Sequence, residues 1–185
     1  GKLYAQILHG APYDIFLAAD SKRPQKLEQE NLIFATSRIT YAFGKIALWS
    51  PKSNDPLRML QQNTFYKMSI ANPKTAPYGE AALQTLQHLN SYDAVKNKLV
   101  YGENIAQTYQ FIESGSADLG FVALSQVNNS SSRYWLVPQS FYTPLEQQLV
   151  ILKSSRNAAL AKIFVEFMQQ DSIKKLIRSH GYDTP

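Results

Sequence analysis

Strands and helices alternate along this chain of 185 residues, and at two places a short apolar strand runs directly into a turn that opens a helix. The strand Lys67-Met-Ser-Ile-Ala71 feeds the turn Asn72-Pro-Lys-Thr-Ala-Pro-Tyr-Gly79, and Lys98-Leu-Val-Tyr101 feeds Gly102-Glu-Asn-Ile105. A strand–turn–helix unit points the N–H groups of the first helical turn outward, with the positive end of the helix dipole behind them. That arrangement binds anions without a charged side chain. Two such units in one chain predict a receptor that holds a small oxyanion between them.

The remaining elements follow the same alternation. Helical patterns cover residues 1–10, 24–30, 55–62, 78–89 and 104–113, and again 172–179 near the C-terminus. Leu160, Ile163, Phe164 and Phe167, at i, i+3, i+4 and i+7, predict a further helix with that apolar face turned inward. Apolar runs of strand length occur at 13–19, 45–50, 118–124, 134–137 and 148–153. Tyr13 to Ala19 reads as a strand buried on both faces. Alternation of this kind predicts parallel-type sheets with helices on both faces, an α/β fold. Ligands of such sheets sit where helix N-termini meet the carboxyl ends of the strands.

Composition removes several function classes. The chain has no Cys, so it holds no disulfide, zinc–thiolate site or cysteine nucleophile. Its net charge of +5 is scattered, with Lys22-Arg23 and Lys174-Lys175 the two adjacent basic pairs and no longer basic run, which argues against a nucleic-acid binder. No apolar run approaches the roughly 20 residues a membrane-spanning helix needs. His9, His88 and His180 lack metal-ligand spacing, so no residue is read as a ligand to a metal cation. Gly-x-Ser-x-Gly elbows and phosphate-binding Gly-rich loops are absent, so the chain is read as a binder and not an enzyme. Asp14 and Asp20 flank a strand and read as turn and cap residues. Asn128-Asn129-Ser130 matches a glycosylation acceptor but reads as part of a polar turn over 128–133.

These segments, taken in order, resemble one known family. They are Gly1-Lys-Leu-Tyr-Ala-Gln-Ile7, Gly10-Ala-Pro-Tyr-Asp-Ile-Phe-Leu-Ala-Ala-Asp20, Leu48-Trp-Ser-Pro51, Ala71-Asn-Pro-Lys-Thr-Ala-Pro-Tyr-Gly79, Gly102-Glu-Asn-Ile-Ala-Gln-Thr108, Leu119-Gly-Phe-Val-Ala-Leu-Ser125 and Gly181-Tyr182. The family is the periplasmic molybdate-binding proteins of ABC importers, and the likeness covers essentially the whole chain. It implies a type II periplasmic-binding fold of two α/β lobes, with molybdate or tungstate held in a cleft between them. It also implies an exported monomer that hands its cargo to an ABC permease in the inner membrane, with no cofactor; molybdenum enters only as the oxyanion.

The resemblance further implies that lobe one, residues 1–44 with 146–185, is incomplete here. A first strand and turn would precede Gly1, ending in a serine that contributes to the site. Lobe two then spans 45–145, with hinges near Ala42 to Ile46 and Tyr142 to Gln147. Carried over residue by residue, the family contacts fall on Tyr78 and Ile105, each through its backbone N–H. Pro77, Gly79 and Asn104 flank them, and Gly1 and Lys2 are further cleft-lining candidates. A tyrosine hydroxyl used by some members falls at Ala123, which has no such group. Another tetrahedral oxyanion, sulfate or phosphate, is the nearest alternative ligand. A sensing domain of a transcription regulator is the alternative role.

Overall fold

A computed structural model of the chain describes residues 1–128 and 134–185. The expected Asn129–Ser130 part of the glycosylation motif, and most of the turn around it, lie outside the described residues. In chain order the elements are α1 (Lys2–Leu8), β1 (Ile15–Ala18), α2 (Lys22–Gln29), β2 (Ile39–Gly44), β3 (Ile46–Trp49) and α3 (Pro56–Gln61). Then follow β4 (Met68–Ala71), α4 (Pro77–His88), α5 (Tyr92–Val95), β5 (Leu99–Gly102), α6 (Ile105–Glu113) and β6 (Leu119–Ala123). The last are α7 (Leu124–Val127), β7 (Tyr134–Leu136), β8 (Leu145–Ile151), α8 (Ala158–Met168) and α9 (Asp171–Ser179). Among the described residues no helix is long and apolar enough to cross a membrane. The chain divides into two compact units, Gly1–Gly44 with Leu145–Pro185, and Lys45–Pro144.

The first unit is built on a three-stranded sheet of order β1-β8-β2. Both β1 and β2 pair antiparallel with β8, so they run parallel to each other with α2 between them in sequence. The wholly parallel sheet expected from the alternation is therefore not what forms here. The reason is long-range: β8 arrives about a hundred residues after β2 and inserts between the two strands in the opposite sense. Its side chains and Leu152 just after it alternate, Val150 and Leu152 toward Ile7, Phe16 and Leu27, and Leu149 and Ile151 toward Ala161 and Val165. As an edge strand, β1 is buried on one face only, and Leu17 is exposed, against the expectation of burial on both.

Helix α8 also departs from expectation. Ala161 and Val165 are its buried residues, while Leu160 and Ile163 remain 66% and 61% exposed, and Phe164 and Phe167 lie outside as well. The helix is apolar around most of its circumference, and the stripe that meets β8 carries small side chains that let the helix axis approach the sheet. At the sheet's end, Gly44 pairs with Leu145, so both chain crossings leave this unit side by side. Phe43 and Asp183 exchange backbone hydrogen bonds of 2.8 and 3.0 Å, which tie the C-terminal segment to the same point.

The second unit carries a five-stranded sheet of order β5-β4-β6-β3-β7. Here β5, β4 and β6 are parallel, and β3 and β7 add antiparallel. Strands β3, β4 and β6 are buried at every position, and both α4 and α6 pack on β4 and β6, as a sheet covered on two faces requires. Helix α3 starts as its sequence dictates: the Asp55 carboxylate accepts the Arg58 N–H at 3.0 Å and Pro56 fills the first position. At the amino ends of β4 and β6, the Asp118 carboxylate accepts from Lys52 Nζ (2.6 Å) and from the amides of Tyr66 and Lys67 (2.9 and 3.1 Å). Those donors, Lys52 first, hold its carboxyl below the usual aspartate range.

Candidate anion site

The three parallel strands of the second unit end together. Ala71, the last residue of β4, stands opposite Gly102, the last of β5, and β6 on the other side of β4 ends at Ala123. The Asn72 N–H donates to the Gly102 carbonyl at 2.8 Å, so the ladder continues one step into the two turns and fixes them to each other. Helices α4 and α6 thus begin at one edge of one sheet, where open α/β sheets bind their ligands.

The first turn is wound on Asn72. Its carbonyl accepts the N–H groups of Thr75 (3.1 Å) and Ala76 (2.9 Å), and its side-chain oxygen accepts that of Lys74 (3.0 Å). Pro77 then takes the first position of α4, where its missing N–H costs nothing. Gly79 and Glu80 both donate to the Ala76 carbonyl, at 2.9 and 3.1 Å. Tyr78 provides the intervening amide, at the second helical position, while its ring is buried. Gly79 sets the position of this turn. A Cβ there would stand 2.2 Å from the Ala71 carbonyl oxygen, so no other residue lets α4 start so close to the end of β4.

The second turn is capped from both sides. Asn104 accepts the Gln107 N–H on its side-chain oxygen (3.0 Å), and Gln107 reaches back to accept the Glu103 N–H (2.7 Å). This is a variant of the capping box in which the return bond goes to the residue before the cap, written in the sequence as Asn-x-x-Gln and missed there. The Asn104 carbonyl accepts twice from Thr108, through its N–H (3.1 Å) and its hydroxyl (2.9 Å). Those bonds polarise the Asn104–Ile105 peptide, whose other end is the Ile105 N–H. The amides of Ile105 and Ala106 make no hydrogen bond among the described residues, as the first two positions of a helix leave them.

At the end of β6, Ala123 is buried and its N–H donates to Oε1 of Gln126 (2.9 Å). Nε2 of the same side chain donates to the Ile105 carbonyl at 3.2 Å. Of the residues expected at the site, the structure brings Pro77, Tyr78, Gly79, Asn104 and Ile105 to this one sheet edge. Gly1 and Lys2 belong to the other unit, where they start α1 and Gly1 accepts the Ala5 N–H. Among the described residues no group of three or more His, Asp or Glu could hold a metal ion.

Compared with known proteins, the chain matches the bacterial extracellular solute-binding protein family over residues 1–183. It belongs to that family. Among its relatives, the molybdate-binding protein ModA of Azotobacter vinelandii is 45% identical, over 98% of this chain and 75% of that protein. ModA of Rhodobacter capsulatus is 40% identical, over 100% of this chain and 74% of its own length. The solved structure of the A. vinelandii periplasmic molybdate-binding protein superposes with a TM-score of 0.93 at 37% identity, covering 100% of this chain and 84% of that one. The fold of this family member is accordingly the type II periplasmic-binding fold, with two α/β lobes.

Proposed function

We propose that this protein binds molybdate, and tungstate with it, outside the cytoplasmic membrane and delivers it to an ABC permease. The observation that carries the reading is the pairing of two helix N-termini on adjacent parallel strands, laced through Asn72 and Gly102, in a chain that shares 45% and 40% identity with molybdate-binding proteins. The amides of Tyr78 and Ile105 are the proposed donors from the second unit. Pro77, Gly79 and Asn104 shape the turns that present them, and Gly1 and Lys2 of the first unit are further candidates. The protein acts as a monomeric carrier with no catalytic residue and no cofactor.

A dianion held by neutral N–H and O–H donors gains charge-assisted hydrogen bonds, each stronger than a neutral pair. An added Lys or Arg would have to be desolvated as well, whereas the peptide dipoles are already oriented. Discrimination against sulfate follows from size: a smaller anion leaves donors unmet, at about 1–3 kcal/mol each. Calorimetric titration with molybdate, tungstate, sulfate and phosphate tests the reading. Binding of the first two in strong preference to the others is expected; equal or absent binding of all four refutes it.

A further inference from the structure

We infer that Gln126 is a positioning residue of the anion site: its carboxamide clamps the first peptide of α6 to the end of β6 and so aims the amides that grip the oxyanion. The inference rests on the proposed role of the Ile105 turn. Gln126 sits in α7 and reaches Ile105, 21 residues away in sequence, across the carboxyl edge of the sheet. Its two polar atoms are both committed, Oε1 to the Ala123 N–H and Nε2 to the Ile105 carbonyl. A carboxamide flipped end for end would set NH2 against N–H and oxygen against oxygen, so one orientation alone satisfies both contacts.

The consequence lies in peptide planarity. The Ile105 carbonyl and the Ala106 N–H are two ends of one rigid plane. Holding the carbonyl therefore fixes the direction of the Ala106 N–H, which makes no hydrogen bond among the described residues. Gln126 thereby sets Ala106 as a donor beside Ile105, at a fixed angle to it. It also accepts the Ala123 N–H, so the end of β6 contributes to the site by orienting main chain. Donors held at fixed spacing discriminate anions by size; donors free to tilt follow a smaller anion inward.

The test measures molybdate and sulfate dissociation constants for the unmodified protein, Gln126→Met and Gln126→Glu, with thermal melts to establish folding. Gln126→Met keeps the length of the side chain and removes both polar atoms. Its molybdate Kd should rise about tenfold, the loss of about one net hydrogen bond, while sulfate weakens less, so the preference for molybdate contracts. Gln126→Glu still accepts from Ala123 but cannot donate to Ile105 when ionised. Its added charge repels both dianions alike, so a contracted preference there isolates the missing donor. A preference unchanged within about twofold in both folded variants overturns the clamp. If the Gln126 variants keep that preference while the unmodified protein binds molybdate and loses affinity on Ile105→Pro substitution, the clamp fails alone; if the unmodified protein binds no molybdate, the clamp and the proposed function fall together.

Discussion

Replacing Ile105 by Pro removes one backbone donor and leaves the rest of the helix start in place. Pro is favoured at the first helical position because that N–H has no intrahelical partner. The preceding residue must then be extended, and Asn104 already is, at φ −152° and ψ 174°. Its side-chain cap to Gln107 and its carbonyl bonds to Thr108 do not involve the deleted group. The fold should therefore survive a substitution that most helix positions would not.

The expected loss is that of one hydrogen bond to a charged partner, about 1.5–3 kcal/mol. At about 1.4 kcal/mol per decade this is roughly a 10- to 150-fold rise in molybdate Kd. The ring δ-carbon occupies the space the proton left and pushes the value toward the upper end. Ile105→Val is the control, since it trims the half-buried side chain but keeps the amide, and its Kd should stay within about threefold of the parent. Titration calorimetry reads the affinities, and melting without ligand establishes that both variants fold. A Pro variant that melts normally and binds as the Val variant does would refute the assignment of the Ile105 amide as a ligand.

Gly79→Ala forces its Cβ against the Ala71 carbonyl oxygen, 2.2 Å away, and backbone cannot yield as a side chain can; destabilisation of about 1–3 kcal/mol and a weaker molybdate Kd should follow, and an unchanged melting temperature would contradict the packing. Thr108→Val deletes the hydroxyl bond to the Asn104 carbonyl while nearly keeping volume, so calorimetry should show a two- to tenfold rise in Kd, about one neutral hydrogen bond at most. For Asp118 the sign is that of a depressed carboxyl: stability present above the unfolded-state pKa near 4 is lost as pH falls through the lower folded value. Urea melts of Asp118→Asn should therefore fall below the parent at pH 7 and converge with it below about pH 4; a pH-independent gap would exclude the linkage.

What was legible in the sequence was local. Pro77 at a helix start, Gly102-Glu-Asn104 before another, and Asp55-Pro56 before a third each name their own structure within four or five residues. What escaped depends on partners far along the chain. The strand β2, Ile39 to Gly44, is short, mixed in polarity and broken by a bulge between Thr40 and Ala42, so no period of two survives to be read. Nothing near β8 says that it enters its sheet against the direction of β1 and β2. Helix α8 offers two apolar stripes, and the sheet, not the helix, decides which is buried. Gln126 carries no signal at all until Ala123 and Ile105 are brought within its reach.

The same division explains where a site made of peptide groups leaves its mark. Because the proposed donors are main-chain N–H groups, the side chains of Tyr78 and Ile105 are free to serve elsewhere, and Tyr78 is in fact buried. The constraint falls on neighbours that touch no ligand: a proline that gives up its N–H, a glycine that lets a helix begin against a strand end, and an asparagine that caps. Substitutions at Pro77, Gly79, Gly102 and Asn104 should accordingly disturb anion binding more than conservative changes to the side chains at the donor positions themselves. A site built on charged side chains would reverse that order, and the net charge of +5 on this chain would then have been the guiding clue.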